Sequence, residues 1–137
     1  MTEHRHRVTE LRVVVTATDY EAAVRFFRDV LGLPEQEAYE ANGGHVVILD
    51  AGRATLEIND PPYAEYIDQV EVGHRVTGRI RIAFEVPDAR AATADLVDAG
   101  AELIAEPTVT PWDTLNSRLH GPEQLLLTVF GPVETEK

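Results

Sequence analysis

The chain has 137 residues, 44% hydrophobic and 26% charged, so a single globular domain over 1–137 is expected. Its 12 Lys and Arg against 24 Asp and Glu leave a net charge of −12, which argues against nucleic acid or an anionic membrane surface as a partner. There is no cysteine, which excludes disulfides, thiolate catalysis and Cys-ligated metals, and no apolar run approaches the roughly 20 residues that span a bilayer.

The first residues, 1–7, are basic with no apolar segment behind them, so they read as a frayed tail and not as a secretory signal; a cytoplasmic setting is expected. Val8 to Ala17 is rich in β-branched residues and predicts a buried strand. Thr18-Asp-Tyr-Glu21 has the spacing of a capping box, with Thr or Asp accepting backbone N–H groups at a helix start. The helix that follows carries Ala23, Val24, Phe27, Val30 and Leu31 at three- and four-residue steps, predicting one buried face. Gly32 suits a left-handed C-terminal cap, and Pro34 forbids continuation. Strands are predicted at about 35–40, 45–50 and 54–59, separated by the turn sequences Asn42-Gly-Gly44 and Ala51-Gly-Arg53. Pro61-Pro62 then breaks the pattern and opens what reads as a polar connector, about 61–78.

The programme then repeats. Arg81 lies 69 residues after Arg12, and Asp88 lies 69 after Asp19. Arg79 to Val86 alternates as a strand, Asp88 caps a helix through Ala99, and Gly100 ends it. Strands follow near 102–105, 114–120 and 125–130. Each half is therefore βαβββ, module one about 8–60 and module two about 79–131. A repeated unit that cannot close its own core packs against its copy. The predicted fold class is α+β: two pseudo-symmetric βαβββ modules that form a half-barrel cavity.

Strand parity places the candidate site. In the first strand Val13, Val15 and Ala17 face the helix, and Arg12, Val14 and Thr16 face the concave side. The same alternation puts Glu57 and Arg81 on that concave side, so Arg12, Glu57 and Arg81 share one cavity face. Two readings stay open: the arginines hold an anionic or carbonyl-bearing ligand, or Arg12, Glu57 and Arg81 form an internal ionic bridge. Trp112, the only tryptophan, is a stacking wall for a planar ligand or a loop aromatic pinning the rim. Arg118 faces the cavity or water. His120, at a strand end, is a candidate acid or base at the pocket mouth. His45, His74 and His120 with Glu57 match no metal-ligand spacing, and no nucleophile elbow, P-loop or dinucleotide fingerprint is present.

Tyr20-Glu-Ala-Ala-Val-Arg-Phe-Phe-Arg-Asp-Val-Leu-Gly-Leu33 resembles the first-helix signature of the vicinal oxygen chelate superfamily, which includes glyoxalases, extradiol dioxygenases and bleomycin-resistance proteins. Arg81-Ile-Ala-Phe-Glu-Val86, with Asp88 and Ala99-Gly100, resembles the start of its second module. Gly121-Pro-Glu-Gln-Leu-Leu-Leu-Thr-Val-Phe130 resembles its closing turn and last strand. The resemblance covers about residues 8–131 and implies a homodimer of four modules, or a monomer of two, with a cavity between paired modules. Metal-binding members usually place His, sometimes Gln or Glu, on the first and fifth strands and Glu on the fourth and eighth. Matched by motif, those positions hold Arg12, Arg81, Glu57 and Thr128. Arginine stays protonated and donates no lone pair to a cation. No metal and no cofactor are expected, therefore, and Arg12, Glu57, Arg81, Trp112, Arg118 and Thr128 are expected to contact a small organic ligand. The leading expectation is a homodimeric protein that binds an aromatic or anionic compound, as the bleomycin-resistance resemblance implies. The alternative is a lyase or isomerase in which Arg12 or Arg81 replaces the metal's charge while Glu57 or His120 moves the proton.

Overall fold

The computed structural model describes residues 6–134; residues 1–5 of the expected tail lie outside them. Eight strands form one curved, unclosed sheet. They are β1 (Glu10–Thr16), β2 (Glu35–Ala41), β3 (Gly44–Asp50), β4 (Thr55–Asn59), β5 (Ile80–Glu85), β6 (Glu102–Val109), β7 (Thr114–His120) and β8 (Leu126–Pro132). Their order is β2-β3-β4-β1-β5-β8-β7-β6, so each half runs outward from the centre as first, fourth, third and second strand. β1 pairs parallel with β4 and β5 parallel with β8, while β1 and β5 join the halves antiparallel. The repeat in the sequence is thus a repeat in topology.

Helices α1 (Tyr20–Val24, continuing as a π-helix over Arg25–Val30) and α3 (Ala89–Asp98) cover the convex face. Asp19 caps α1 by accepting from the Ala22 amide at 3.1 Å, and Asp88 caps α3 through the Ala91 amide at 3.0 Å. Gly32 (φ 91°) and Gly100 (φ 111°) sit past their C-termini in the left-handed region, where a Cβ would be strained. Strand alternation separates two faces as expected. Val47, Leu49 and Ile58 pack with Val24 beneath α1, while Leu115, Leu119 and Val129 pack with Ala89 and Ala92 beneath α3. Val46, Ile48 and Asn116, one residue out of phase, line the concave side.

Two sequence expectations are corrected. Val30 and Leu31 do not join the buried face; they are 76% and 62% exposed. The Leu31 amide reaches the Phe26 carbonyl, an i→i+5 bond, and this wider turn rotates the end of the helix out of the α-helical phase that the spacing assumed. The supposed connector holds an 11-residue helix, α2 (Pro61–Glu71). Pro61 and Pro62 occupy its first turn, where no N–H partner is required, and Asp60 caps it by accepting from the Tyr63 amide at 3.1 Å.

Helix α2 does not join α1 and α3 on the convex face. It lies on the concave side, where Tyr63 and Ile67 pack on Val46. Gly44 permits that approach, since a Cβ there would overlap the Tyr63 amide.

Candidate functional site

The strand register fixes the centre of the site. Val14 on β1 is the Cα partner of Glu57 on β4 and of Arg81 on β5. Glu57 and Arg81 therefore face each other across one small residue, with backbones about 10 Å apart at the usual strand spacing. The neighbouring rung holds Arg12, whose β5 partner Ala83 is in turn paired with Thr128 on β8.

The expected Arg12–Glu57–Arg81 bridge forms on one side only. Arg12 donates through Nε and Nη2 to the Glu10 carboxylate at 2.8 and 3.2 Å, and its Nη1 lies 3.6 Å from Glu57 Oε1. Its guanidinium also sits 5.2 Å over the Phe130 ring. Arg81 makes no ion pair among the described residues. It is 5% exposed, donates from Nη1 to Thr128 Oγ1 at 2.8 Å, and has an Nε–H with no protein acceptor.

Thr128 passes that bond on, donating to Glu71 Oε1 at 3.2 Å. The same Glu71 oxygen accepts from Arg118 Nε and Nη2 at 3.0 and 2.8 Å, while Oε2 accepts from Asn116 at 2.9 Å. Arg118 Nη1 donates to Asp68 Oδ1 at 2.8 Å and to Thr77 Oγ1 at 3.1 Å. Sequence parity left Arg118 facing cavity or water; it faces neither, being 0% exposed and absent from the cavity wall. Its donors are taken up by two carboxylates of α2, and that buried pairing clamps α2 onto β7.

Burial sets the ionisation of these groups. Desolvation raises the Glu57 carboxyl above the ordinary value, although Arg81 and Arg12 oppose the shift. Burial also pushes the Tyr63 phenol up, to about 12, with the Glu57 charge adding to it. Asp68 goes the other way: burial would raise it, but the hydroxyl and amide of Thr77, the Val76 amide and Arg118 together hold it below its ordinary value. Arg81 is lowered by burial, with Glu71 counteracting.

Arg12, Glu57, Arg81 and Thr128 open on one cavity of about 480 Å³, which Trp112 also lines. Trp112 is 41% exposed and its ring lies 6.5 Å from Tyr66, which lies 5.7 Å from Tyr63, so an aromatic edge runs from the β6–β7 loop to α2. The histidines are elsewhere. His120 binds Glu102 at 3.1 Å on the β6–β7 edge and does not line the cavity, which removes the expected acid or base at its mouth. His45 pairs with Asp60 at 3.0 Å, His74 is exposed, and no cluster of three metal-capable side chains occurs among the described residues.

Asp68, Glu71 and Asn116 escaped the sequence reading. A signal was present: Tyr63, Ile67 and Val70 recur at helical spacing behind Asp60-Pro61, an N-cap followed by proline.

The concave side of the eight-stranded, pseudo-symmetric half-barrel thus carries a half-open cavity with polar and aromatic walls. The sequence matches the family described as the Glyoxalase/Bleomycin resistance protein/Dioxygenase superfamily over residues 11–129, and the chain belongs to it. No curated protein matches the chain. Among solved structures, a hypothetical protein from Bacillus halodurans C-125 is similar at 17% identity and a TM-score of 0.67, covering 98% of this chain and 99% of its own. A Streptomyces coelicolor methylmalonyl-CoA epimerase in complex with 2-nitronate-propionyl-CoA is similar at 21% identity and a TM-score of 0.60, covering 96% and 97%. Methylmalonyl-CoA epimerase from Mycobacterium tuberculosis is similar at 18% and 0.61, covering 93% and 88%. At these identities the likeness is one of fold. No helix among the described residues is long and apolar enough to cross a membrane.

Proposed function

We propose that this chain is a small-molecule-binding member of the superfamily that works without a divalent metal and sequesters an aromatic compound. The observation that carries the reading is a half-open cavity of about 480 Å³ whose wall combines the charged Arg12, Glu57 and Arg81 with the aromatic Tyr63, Tyr66 and Trp112. The four positions of the resemblance do not fit a divalent cation. Glu57 is the one carboxylate, Arg12 and Arg81 carry positive charge, and the Thr128 hydroxyl is already engaged by Arg81 and Glu71.

Trp112, as the only tryptophan, reports on the cavity directly. Saturable quenching by aromatic compounds, with the ligand recovered unchanged, is the expected result. Stoichiometric uptake of zinc, nickel, manganese or iron(II) in calorimetry would overturn the metal-independent reading.

A second reading, isomerase or lyase, is favoured by one observation: Glu57 is a buried carboxylate with a raised pKa, facing Arg81 across Val14. Glu57 would remove and return a proton on carbon while Arg81 carries charge on the adjacent oxygen. Turnover of a bound carbonyl compound separates this from sequestration.

A further inference from the structure

The two central strands are buried on their concave side and part-exposed on their apolar, convex side. On the concave face Val14 is 1% exposed, Arg81 5% and Ala83 3%. The convex face carries Leu11, Val13 and Val15 of β1 against Ile80, Ile82 and Phe84 of β5, paired across the strands as Leu11–Phe84, Val13–Ile82 and Val15–Ile80. None of these six is fully buried, and Ile80 is 53% exposed. None joins the clusters beneath α1 or α3. Among the described residues, three apolar rungs at the centre of the sheet are thus left open between the two helices.

The opening has the width of a helix. α1 rests on β3 and β4 through Val24, and α3 rests on β7 and β8 through Ala89 and Ala92. About four strand spacings, or roughly 19 Å, separate the two helix axes, which leaves room for one more helix at the usual packing distance of about 8–10 Å. The chain before β1 borders this groove on the α3 side, where His6 Nε2 lies 2.6 Å from Asp95 Oδ2, and it leaves the Val15–Ile80 end open.

The same chain carries a helix face that suits the groove. Phe26, Val30 and Leu31, at the π-helical end of α1, are 59%, 76% and 62% exposed, whereas α3 offers only Leu96 and Val97 at 37% each. A twofold axis between two copies lets each α1 enter the other's groove, so that both α1 helices lie side by side between the two sheets. Floor and helix end together present on the order of 600 Å² of apolar surface per copy, comparable with the apolar share of a standard dimer face of about 800 Å². Other covers fit less well. Residues 1–5 and 135–137, outside the described residues, are polar or charged apart from Met1, and a net charge of −12 opposes an anionic membrane surface.

We propose that the convex face is a homodimer interface, with Phe26, Val30 and Leu31 of each copy seated on the β1–β5 floor of the other. The cavity opens on the opposite face of the sheet, so this pairing does not cover it.

Sedimentation velocity of the full chain between about 1 and 100 µM tests the interface, and the parent is expected to run as a dimer through that range. Val30→Lys on the helix and Ile80→Glu on the floor are substitutions of exposed residues, and circular dichroism is expected to show both folded. Each change occurs twice in a symmetric dimer and is expected to weaken association at least about 100-fold. Mixed one to one, the two variants are expected to associate at least about tenfold more tightly than either alone, because one groove of the heterodimer sets the new lysine against the new glutamate and the other stays native. Val109→Glu, 55% exposed on β6, is expected to change nothing. Phe26→Lys takes the place of Val30→Lys if that variant unfolds. A parent that is monomeric at about 100 µM, a dimer indifferent to both substitutions, or a mixture that stays monomeric overturns the inference.

Discussion

Replacing Arg118 by Met removes the charge that clamps α2 to the sheet while leaving a side chain of similar length. Four donor contacts disappear: two to Glu71, one to Asp68 and one to Thr77. The carboxylates do not leave with them. Glu71 keeps Asn116 and Thr128, and Asp68 keeps the Thr77 hydroxyl and two amides, but both charges stay buried with no directly paired cation. Breaking a buried pair from one side costs about 3–5 kcal/mol. For a chain of this size that lowers the melting temperature by roughly 10–20 °C. Urea unfolding followed by circular dichroism reads the loss as a lower midpoint with an unchanged slope.

Two further measurements separate this cause from simple loss of packing. The triple variant Arg118→Met, Asp68→Asn, Glu71→Gln removes the stranded charges and is expected to recover more than half of the loss. The deficit of the single variant is also expected to shrink as pH falls from about 7 towards 5, because carboxylates without a cation take up protons more readily. In the unmodified protein the sign is opposite. Asp68 is held below its ordinary value of 3.8, so its contribution is present above that value and is lost as pH falls through the lower, folded one. A single variant within about 1 kcal/mol of the parent, or a triple no better than the single, refutes the clamp.

Gly44→Ala forces a methyl group into the Tyr63 backbone, which cannot give as a flexible side chain does, and is expected to cost about 2–3 kcal/mol. Gly78→Ala, where the added carbon meets open space and φ is ordinary, should stay within about 0.5 kcal/mol; chemical denaturation of both checks the contrast. The imidazole of His45 is raised above 6.5, first by its hydrogen bond to Asp60, so NMR titration should show a midpoint above that value that falls in Asp60→Asn. Its stabilisation is present below 6.5 and disappears as pH rises through the folded value. A midpoint unchanged by the substitution contradicts the pairing.

The strands were legible because their information is local. Side chains alternate with a period of two, so the placement of Arg12, Val14, Glu57 and Arg81 on one face follows from any correct strand assignment. The duplication supplied the topology, since a motif that recurs 69 residues later must find the same packing partners. The Asp19 and Asp88 caps are local too, being bonds between residues three apart.

Tertiary structure decided what depended on distant partners. Pro61-Pro62 was compatible with a broken chain or with a helix start, and the apolar concave face under Tyr63 and Ile67 makes it a helix. The phase of α1 shifted where its backbone took a wider turn, carrying Val30 and Leu31 into solvent. Arg118 had two faces open to it by parity. Its burial became possible only when Asp68 and Glu71, 50 and 47 residues away, arrived on α2 to neutralise it. Sequence by itself determined which residues share a face. Which of those are consumed by one another, and which, like Arg81, keep a donor unmatched, depends on charges brought together by folding, because burial acts on the whole neighbourhood and not on the order of residues along the chain.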